Sequence, residues 1–146
     1  RPYRAIGPPP GAVHFRDPPP QENNYRKFSP LYRVLKWLLV DKGDGDGAIA
    51  EYCEALRLNP KDELAHEGLG SVYTKKRDWD GAIAEYREMV RLNSNNEGAH
   101  FGLGVALDQK GDLRGALEEF CAAYMIDPKS AGYKMVYERL LRRVNQ

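Results

Sequence analysis

The sequence has little of what several protein classes require. Only two of its 146 residues are cysteines, too few for the disulfide framework that holds many small secreted domains together. No apolar run approaches the roughly 18 residues that a membrane-spanning helix needs. A net charge of +1 and an isoelectric point of 7.9 lack the basic excess of a nucleic-acid-binding domain, whose isoelectric point usually exceeds about 9. The 42% of hydrophobic residues nevertheless suffices for the core of one folded domain.

Motifs for catalysis and for metal binding are also missing. The sequence has no Walker loop, no GxGxxG, no HExxH and no pair of nucleophile and general base, which predicts a non-enzyme with no cofactor and no small-molecule substrate. The run 44–47 is similar to part of a calcium loop, but Lys42 and Cys53 occupy two of its ligand positions. His66 and His100 are interpreted as packing residues between helices. We therefore predict no metal site.

Proline is scarce over most of the chain and concentrated at its beginning. Eight of the ten prolines lie within residues 1–30, where they include the triplets 8–10 and 18–20. Proline lacks a backbone N–H and disfavours helix in the residue before it, so residues 1–28 are predicted to form an extended arm, largely as polyproline II. The apolar side chains that could anchor this arm in a groove are Tyr3, Ile6, Val13, Phe15, Tyr25 and Phe28.

Charge separates the arm from the rest of the chain. Residues 1–30 carry five Lys and Arg against two acidic residues, whereas residues 31–130 carry thirteen against eighteen. Residues 131–146 are basic again, with four against one. Regions of opposite sign can attract each other within one molecule or between copies.

Three copies of one pattern follow the arm. Residues 48–60 align without a gap on residues 82–94, with nine of thirteen positions identical, and the same offset of 34 leads to residues 116–128. Apolar residues spaced three and four apart precede each copy, which is typical of another helix in the same unit. We predict three two-helix units at 29–62, 63–96 and 97–130, and a C-terminal capping helix at 131–146.

This pattern resembles the tetratricopeptide repeat family, whose 34-residue unit carries W-x2-L-G-x2-Y, then A-x3-F, then P. The resemblance covers residues 29–130, with departures at Lys36, Arg77 and Ser94, where the family has glycine, glycine and proline. The matching positions are Leu69, Gly70, Tyr73, Ala82 and Tyr86 in the second unit, and Leu103, Gly104, Ala116, Phe120 and Pro128 in the third. It implies an all-α fold, a right-handed α-solenoid of helix-turn-helix repeats that follows the extended Pro-rich arm.

The resemblance also implies where a ligand binds, because in this family the first helix of each repeat lines a concave groove. The groove residues carried over onto this chain, with the cap included, are Val34, Trp37, Leu64, Gly68, Ser71, Phe101, Gly102, Val105, Met135 and Val136. The family's carboxylate clamps, which hold chaperone tails with Lys, Asn and Arg, find no match in the centre of this groove. Its glycines either make room for an extended peptide or tighten the packing of the helices, and the sequence leaves both interpretations open.

These features predict a non-catalytic module for protein interaction and assembly. The favoured partner is a protein or peptide, above all the Pro-rich arm of a neighbouring copy, which would give head-to-tail homo-oligomers or filaments. A first helix around residues 31–40 is apolar on nearly every side and requires a cover, which the chain's own arm, a neighbouring copy or another protein could supply. Docking of the arm within one copy would give a closed monomer. The alternative is a monomeric adaptor that recruits a different protein and uses the arm as linker or autoinhibitor.

Two further predictions concern the cysteines and the compartment. Cys53 and Cys121 hold equivalent positions 68 residues apart, on the order of 20 Å in a solenoid, so we predict buried free thiols and no intrachain disulfide. The alternative, for a secreted protein, is a bridge between subunits. The chain begins with Arg1 and not with methionine. It is expected outside the cell or at the cell surface if a signal peptide preceded this residue, and in the cytoplasm otherwise.

Overall fold

The computed structural model describes Gly43 and residues 45–146, and this part of the chain forms α-helices and no strands. The helices are α1 (Gly45–Leu58), α2 (Glu63–Lys75), α3 (Trp79–Leu92), α4 (Glu97–Lys110), α5 (Leu113–Ile126) and α6 (Ala131–Val144). The predicted arm and the first helix of the first unit lie outside the described residues. Among the described helices, none is both long enough and apolar enough to cross a membrane.

The helices stack in the order in which they occur. Helix α2 packs on α3 and α4 packs on α5, and these two pairs meet where α3 packs on α4. Helix α2 also contacts α4, so these two lie side by side in an inner layer, with α3 and α5 behind them. This arrangement confirms the predicted all-α solenoid.

Short polar side chains determine where the helices begin. Asp62, Asp78, Asn96, Asp112 and Ser130 each accept a hydrogen bond from the backbone N–H three residues further along. The first backbone N–H groups of a helix have no partner within it, and such caps stabilise the helix by about 1 kcal/mol each. The caps recur with the repeat, so every helix pair starts in the same register.

The turn between α2 and α3 places a non-glycine residue in a left-handed conformation. Arg77 has a φ of 58°, and the glycines at the equivalent turns, Gly43 and Gly111, have φ values of 83° and 94°. The N–H of Asp78 still reaches the carbonyl of Tyr73 at 2.9 Å, so the turn closes as a glycine turn would. The departure from the family pattern at Arg77 thus preserves the turn, at a steric cost of roughly 1 kcal/mol.

The core is built from the repeated alanines and aromatic residues. Ala48, Ala82 and Ala116 are completely buried at equivalent positions, which lets the helices approach closely. Tyr86 and Phe120, four residues after the second and third of these alanines, fill the space between the layers. The 34-residue period of the sequence is therefore also the period of the core.

Two buried histidines connect consecutive units, in agreement with their interpretation as packing residues. Nδ1 of His100 lies 2.7 Å from a carboxylate oxygen of Glu119 on α5, and its Nε2 lies 3.0 Å from the carbonyl oxygen of Ser94. The ring therefore joins the preceding turn, α4 and α5. The same arrangement recurs one unit earlier with His66, Glu85 and Pro60.

Helix α6 closes the end of the solenoid. Its Leu140 is only 2% exposed, and its Tyr137 stacks on Tyr124 of α5 with ring centroids 6.1 Å apart. Lys134 and Glu138 pair at 4.0 Å on another, exposed side of the helix. One side of α6 thus covers the third unit while another is charged, as expected of a cap.

The prediction of two buried thiols is wrong for one of them. Both cysteines are free, but Cys53 is exposed and Cys121 is only partly buried. Cys53 lies on the outer side of α1, at the position that the exposed Arg87 occupies in α3. The apolar character of the Cys53 side chain was therefore a poor indicator of its burial.

Candidate peptide-binding groove

A pocket of about 280 Å³ lies on the inner layer, between α2 and α4. Helix α2 supplies a polar wall of Glu67, Ser71 and Thr74, which share one face because they are four and three residues apart. Helix α4 supplies an apolar wall with Phe101 and Val105. The other lining residues are Tyr86, Met89, Asn96, Gly98 and Gly102.

Tyr86 reaches the pocket from α3, through the gap between the two inner helices. The Cζ atom of its ring would lie 2.9 Å from a Cβ added at Gly70 and 2.7 Å from one added at Gly102. The side chain is 9% exposed, and its hydroxyl makes no hydrogen bond with any described residue. Buried hydroxyls ordinarily have a partner. The pocket thus contains a hydroxyl that is available to a ligand.

The two groove glycines accommodate tyrosine rings. A Cβ at Gly68 would overlap the ring of Tyr52, and one at Gly102 would overlap the ring of Tyr86. The equivalent residue in α6 is Val136, which packs against the core. The space beside these glycines is therefore filled by the preceding helix, which is the packing role that the sequence left open.

The structure brings together only part of the predicted groove. Ser71, Phe101, Gly102 and Val105 line the pocket. Leu64 and Met135 are 39% and 60% exposed and lie outside its lining, whereas Gly68 and Val136 take part in packing. The predicted residues outside the described part of the chain are Val34 and Trp37 of the groove and Tyr3, Ile6, Val13, Phe15, Tyr25 and Phe28 of the arm.

Three lining residues, Tyr86, Met89 and Asn96, lie outside the first helix of each repeat, from which sequence reasoning drew the groove. Tyr86 and Met89 come from the second helix, and Asn96 precedes α4. A signal for Tyr86 was present, since Gly102 follows it by sixteen residues as Gly68 follows Tyr52.

Phe101 is a structural residue as well as a lining residue. Its ring centroid lies 5.6 Å from that of Phe120 and 5.4 Å from that of Tyr133, so it joins α4 to both α5 and α6. Burial raises the pKa of the Tyr133 hydroxyl, and the nearby carboxylates of Glu97 and Asp127 raise it further. Tyr133 therefore remains a neutral member of this aromatic cluster at physiological pH.

The pocket and the capping helix α6 carry charges of opposite sign. Glu67 is the one charged residue in the pocket lining, and it forms no ion pair with a described residue. Arg143 of α6 pairs with Asp108 of α4 at 3.1 Å, while Arg139 and Arg142 of α6 are exposed. The pocket itself is therefore acidic, and the cap is basic.

The described residues contain no group of three or more His, Cys, Asp or Glu side chains that could hold a metal ion.

Stacked helix pairs with a groove on their inner layer define a helical-repeat interaction domain. Two models described as tetratricopeptide repeat match the sequence, one over residues 37–97 and the other over residues 98–130. The chain belongs to the tetratricopeptide repeat family, whose domains are protein-interaction modules.

Solved structures of this family share the fold at low sequence identity. The first such domain of Spaghetti (RPAP3), bound to the HSP90 peptide SRMEEVD, is 15% identical with a TM-score of 0.74, over 82% of this chain and 95% of that chain. The domain of Arabidopsis OM64 is 16% identical with a TM-score of 0.71, over 80% and 97%. MamA from Desulfovibrio magneticus RS-1 is 22% identical with a TM-score of 0.70, over 77% of this chain and 64% of that chain. No curated protein sequence matches this chain.

Proposed function

We propose that this chain is an assembly module whose groove binds the Pro-rich arm, residues 1–28, of a neighbouring copy. The observation that carries the proposal is the pocket between α2 and α4, which combines an apolar wall, a polar wall and the available hydroxyl of Tyr86. An extended segment presents both apolar side chains and backbone carbonyls to such a surface. Polyproline segments lose little entropy on binding, which favours them as occupants.

Charge supports the same occupant. The arm region carries five basic residues against two acidic ones, and residues 31–130 carry thirteen against eighteen. Glu67 places part of that acidic excess in the pocket itself. A basic segment is therefore attracted to the groove, and at moderate salt this attraction also speeds association.

Exchange of arms between copies has a geometric consequence. The arm of one copy and the groove of the next are different surfaces, so their contact is heterologous, and repeating it gives rings or open filaments. Disabling one of the two surfaces should stop growth, and two copies that are disabled at different surfaces should still form one contact.

A substitution at Ser71 tests the proposal in the full chain. Ser71 is exposed and lines the pocket, so Ser71→Tyr should block the groove without disturbing the core. The same change at the exposed Ala84 of α3 is the matched control. Phe101 is less suitable, because its ring also packs on Phe120 and Tyr133.

Sedimentation equilibrium over a range of concentrations provides the measurement. The unmodified chain and Ala84→Tyr should form species larger than a monomer, whereas Ser71→Tyr and the arm variant Phe15→Ser should each remain monomeric. A mixture of these two variants should stop at a dimer, because one still has its arm and the other its groove. A chain that is monomeric at every concentration, or a Ser71→Tyr variant that assembles normally, would contradict the proposal.

A further inference from the structure

We infer that the pocket between α2 and α4 binds an arginine side chain, and that Arg16 from the arm of a second copy supplies it. The inference rests on the proposed function and specifies which part of the arm the pocket recognises. The chemistry of the pocket indicates that its ligand is an arginine side chain. The position of Arg16 in the arm indicates that this residue supplies it.

Most of the polar groups of the pocket can accept a hydrogen bond from a ligand. Glu67 contributes a carboxylate, and Ser71, Thr74 and Tyr86 contribute hydroxyl oxygens. The hydroxyl of Thr74 already donates to the carbonyl of Gly70 at 2.7 Å, so its oxygen can only accept from a ligand. Glu67 gives the pocket one negative charge, and the neighbouring hydroxyl oxygens can accept hydrogen bonds, which favours a cation with several N–H donors.

The shape of the pocket favours arginine over lysine. The ring of the partly buried Phe101 lines it, and a planar guanidinium stacks on an aromatic face better than a compact ammonium does. Val105 and Met89 provide apolar contact for the aliphatic stem. The volume of about 280 Å³ lies just below the range of small-molecule sites, roughly 300–1,000 Å³, and suits one long side chain.

Arg16 combines an apolar neighbour with enough chain to reach a second copy. It follows the apolar Phe15 directly and lies between the proline triplets 8–10 and 18–20, where the sequence predicts an extended backbone. It lies thirteen positions before residue 29, where the first unit is predicted to begin, and at about 3.1 Å per residue that stretch of chain reaches about 40 Å. Arg26 is only three residues from that position, so it has much less reach towards a second copy.

Charge reversal in the full chain tests the pairing. Glu67→Arg and Arg16→Glu should each raise the dissociation constant for self-association by about tenfold, because each places like charges together in the pocket. The chain with both substitutions should return to within about threefold of the unmodified constant. An equimolar mixture of the two single variants should recover in the same way, since each arm then meets a groove of opposite charge. Sedimentation equilibrium measures the constants of the unmodified chain, the two single variants, the double variant and the mixture.

Two further variants make the test specific. Glu118→Arg changes an exposed carboxylate on α5 outside the pocket lining, and it should leave the constant within about twofold. Arg16→Lys keeps the charge but loses the planar group, and it should weaken association by less than Arg16→Glu does. Circular dichroism melts should show that every variant is folded, since Glu67 and Glu118 are exposed.

The outcomes separate this inference from the proposed function. If the unmodified chain assembles and the single variants assemble equally well, the arginine site is wrong and arm exchange stands. If the single variants fail and neither the double variant nor the mixture recovers, the pairing of Arg16 with Glu67 is wrong. If the unmodified chain never associates, the proposed function fails, and the inference fails with it.

Discussion

At the scale of single residues, the structure distinguishes glycines that the sequence makes look alike. A Cβ added at Gly104 would lie 2.7 Å from two ring carbons of Phe120, whose side chain is buried and cannot move aside. A Cβ added at Gly132, in the first turn of α6, would meet only the hydroxyl of Ser130 at 3.7 Å. The first glycine permits a close approach of two helices, and the second has no such role.

Two alanine substitutions should therefore have opposite effects. Gly104→Ala should lower the free energy of unfolding by about 2 kcal/mol through overpacking. Gly132→Ala should raise it by about 0.5 kcal/mol, because alanine restricts the unfolded chain and favours helix. Urea denaturation followed by circular dichroism measures both. Equal effects of the two changes would contradict the contact between Gly104 and the ring.

Single residues also show which features of the site could be predicted from the sequence and which could not. The position of Phe101 and Ser71 in the pocket followed from the family resemblance, which implies that fixed positions on the first helix of each repeat line the groove. The presence of Tyr86 in the pocket was not predicted. It depends on the direction in which this side chain points from α3 across the interface with the inner helices. The exposure of Cys53 was missed for a related reason, since residue type was used where helix phase decides.

At the scale of helices, most of the architecture was predictable. An offset of 34 residues repeated over three copies predicts helix pairs of equal length, and residues 45–126 form these pairs from the second helix of the first unit onwards. The connections between pairs were less visible. The caps at Asp62, Asn96 and Ser130 recur every 34 residues, as do the two histidines, but the sequence does not show which atoms these side chains contact.

The bonds of His100 should matter more than an exposed ion pair between two neighbouring helices. Glu119→Ala would leave a ring nitrogen of a 9%-exposed histidine without its partner, which should cost about 1–3 kcal/mol. The control is Asp80→Ala, which removes the partner of Lys110 where the Asp80 side chain is 77% exposed. That change should cost less than about 1 kcal/mol. Urea unfolding provides both values, and a larger loss for the control would show that burial does not determine the strength of these links.

At the scale of the whole molecule, the separation of charge makes a prediction about salt. A basic arm bound in an acidic groove is held partly by Coulombic attraction, which salt screens over about 10 Å at 0.1 M and about 3 Å at 1 M. Raising NaCl across that range should increase the dissociation constant for self-association about fivefold, or roughly 1 kcal/mol. Replacing Arg139 and Arg142 of the cap with glutamine should strengthen association at low salt, because it removes repulsion of a basic arm, and this difference should vanish at high salt. Association that grows stronger with salt throughout would point instead to contact driven by apolar surface alone, and the charge of the arm would then have no part in assembly.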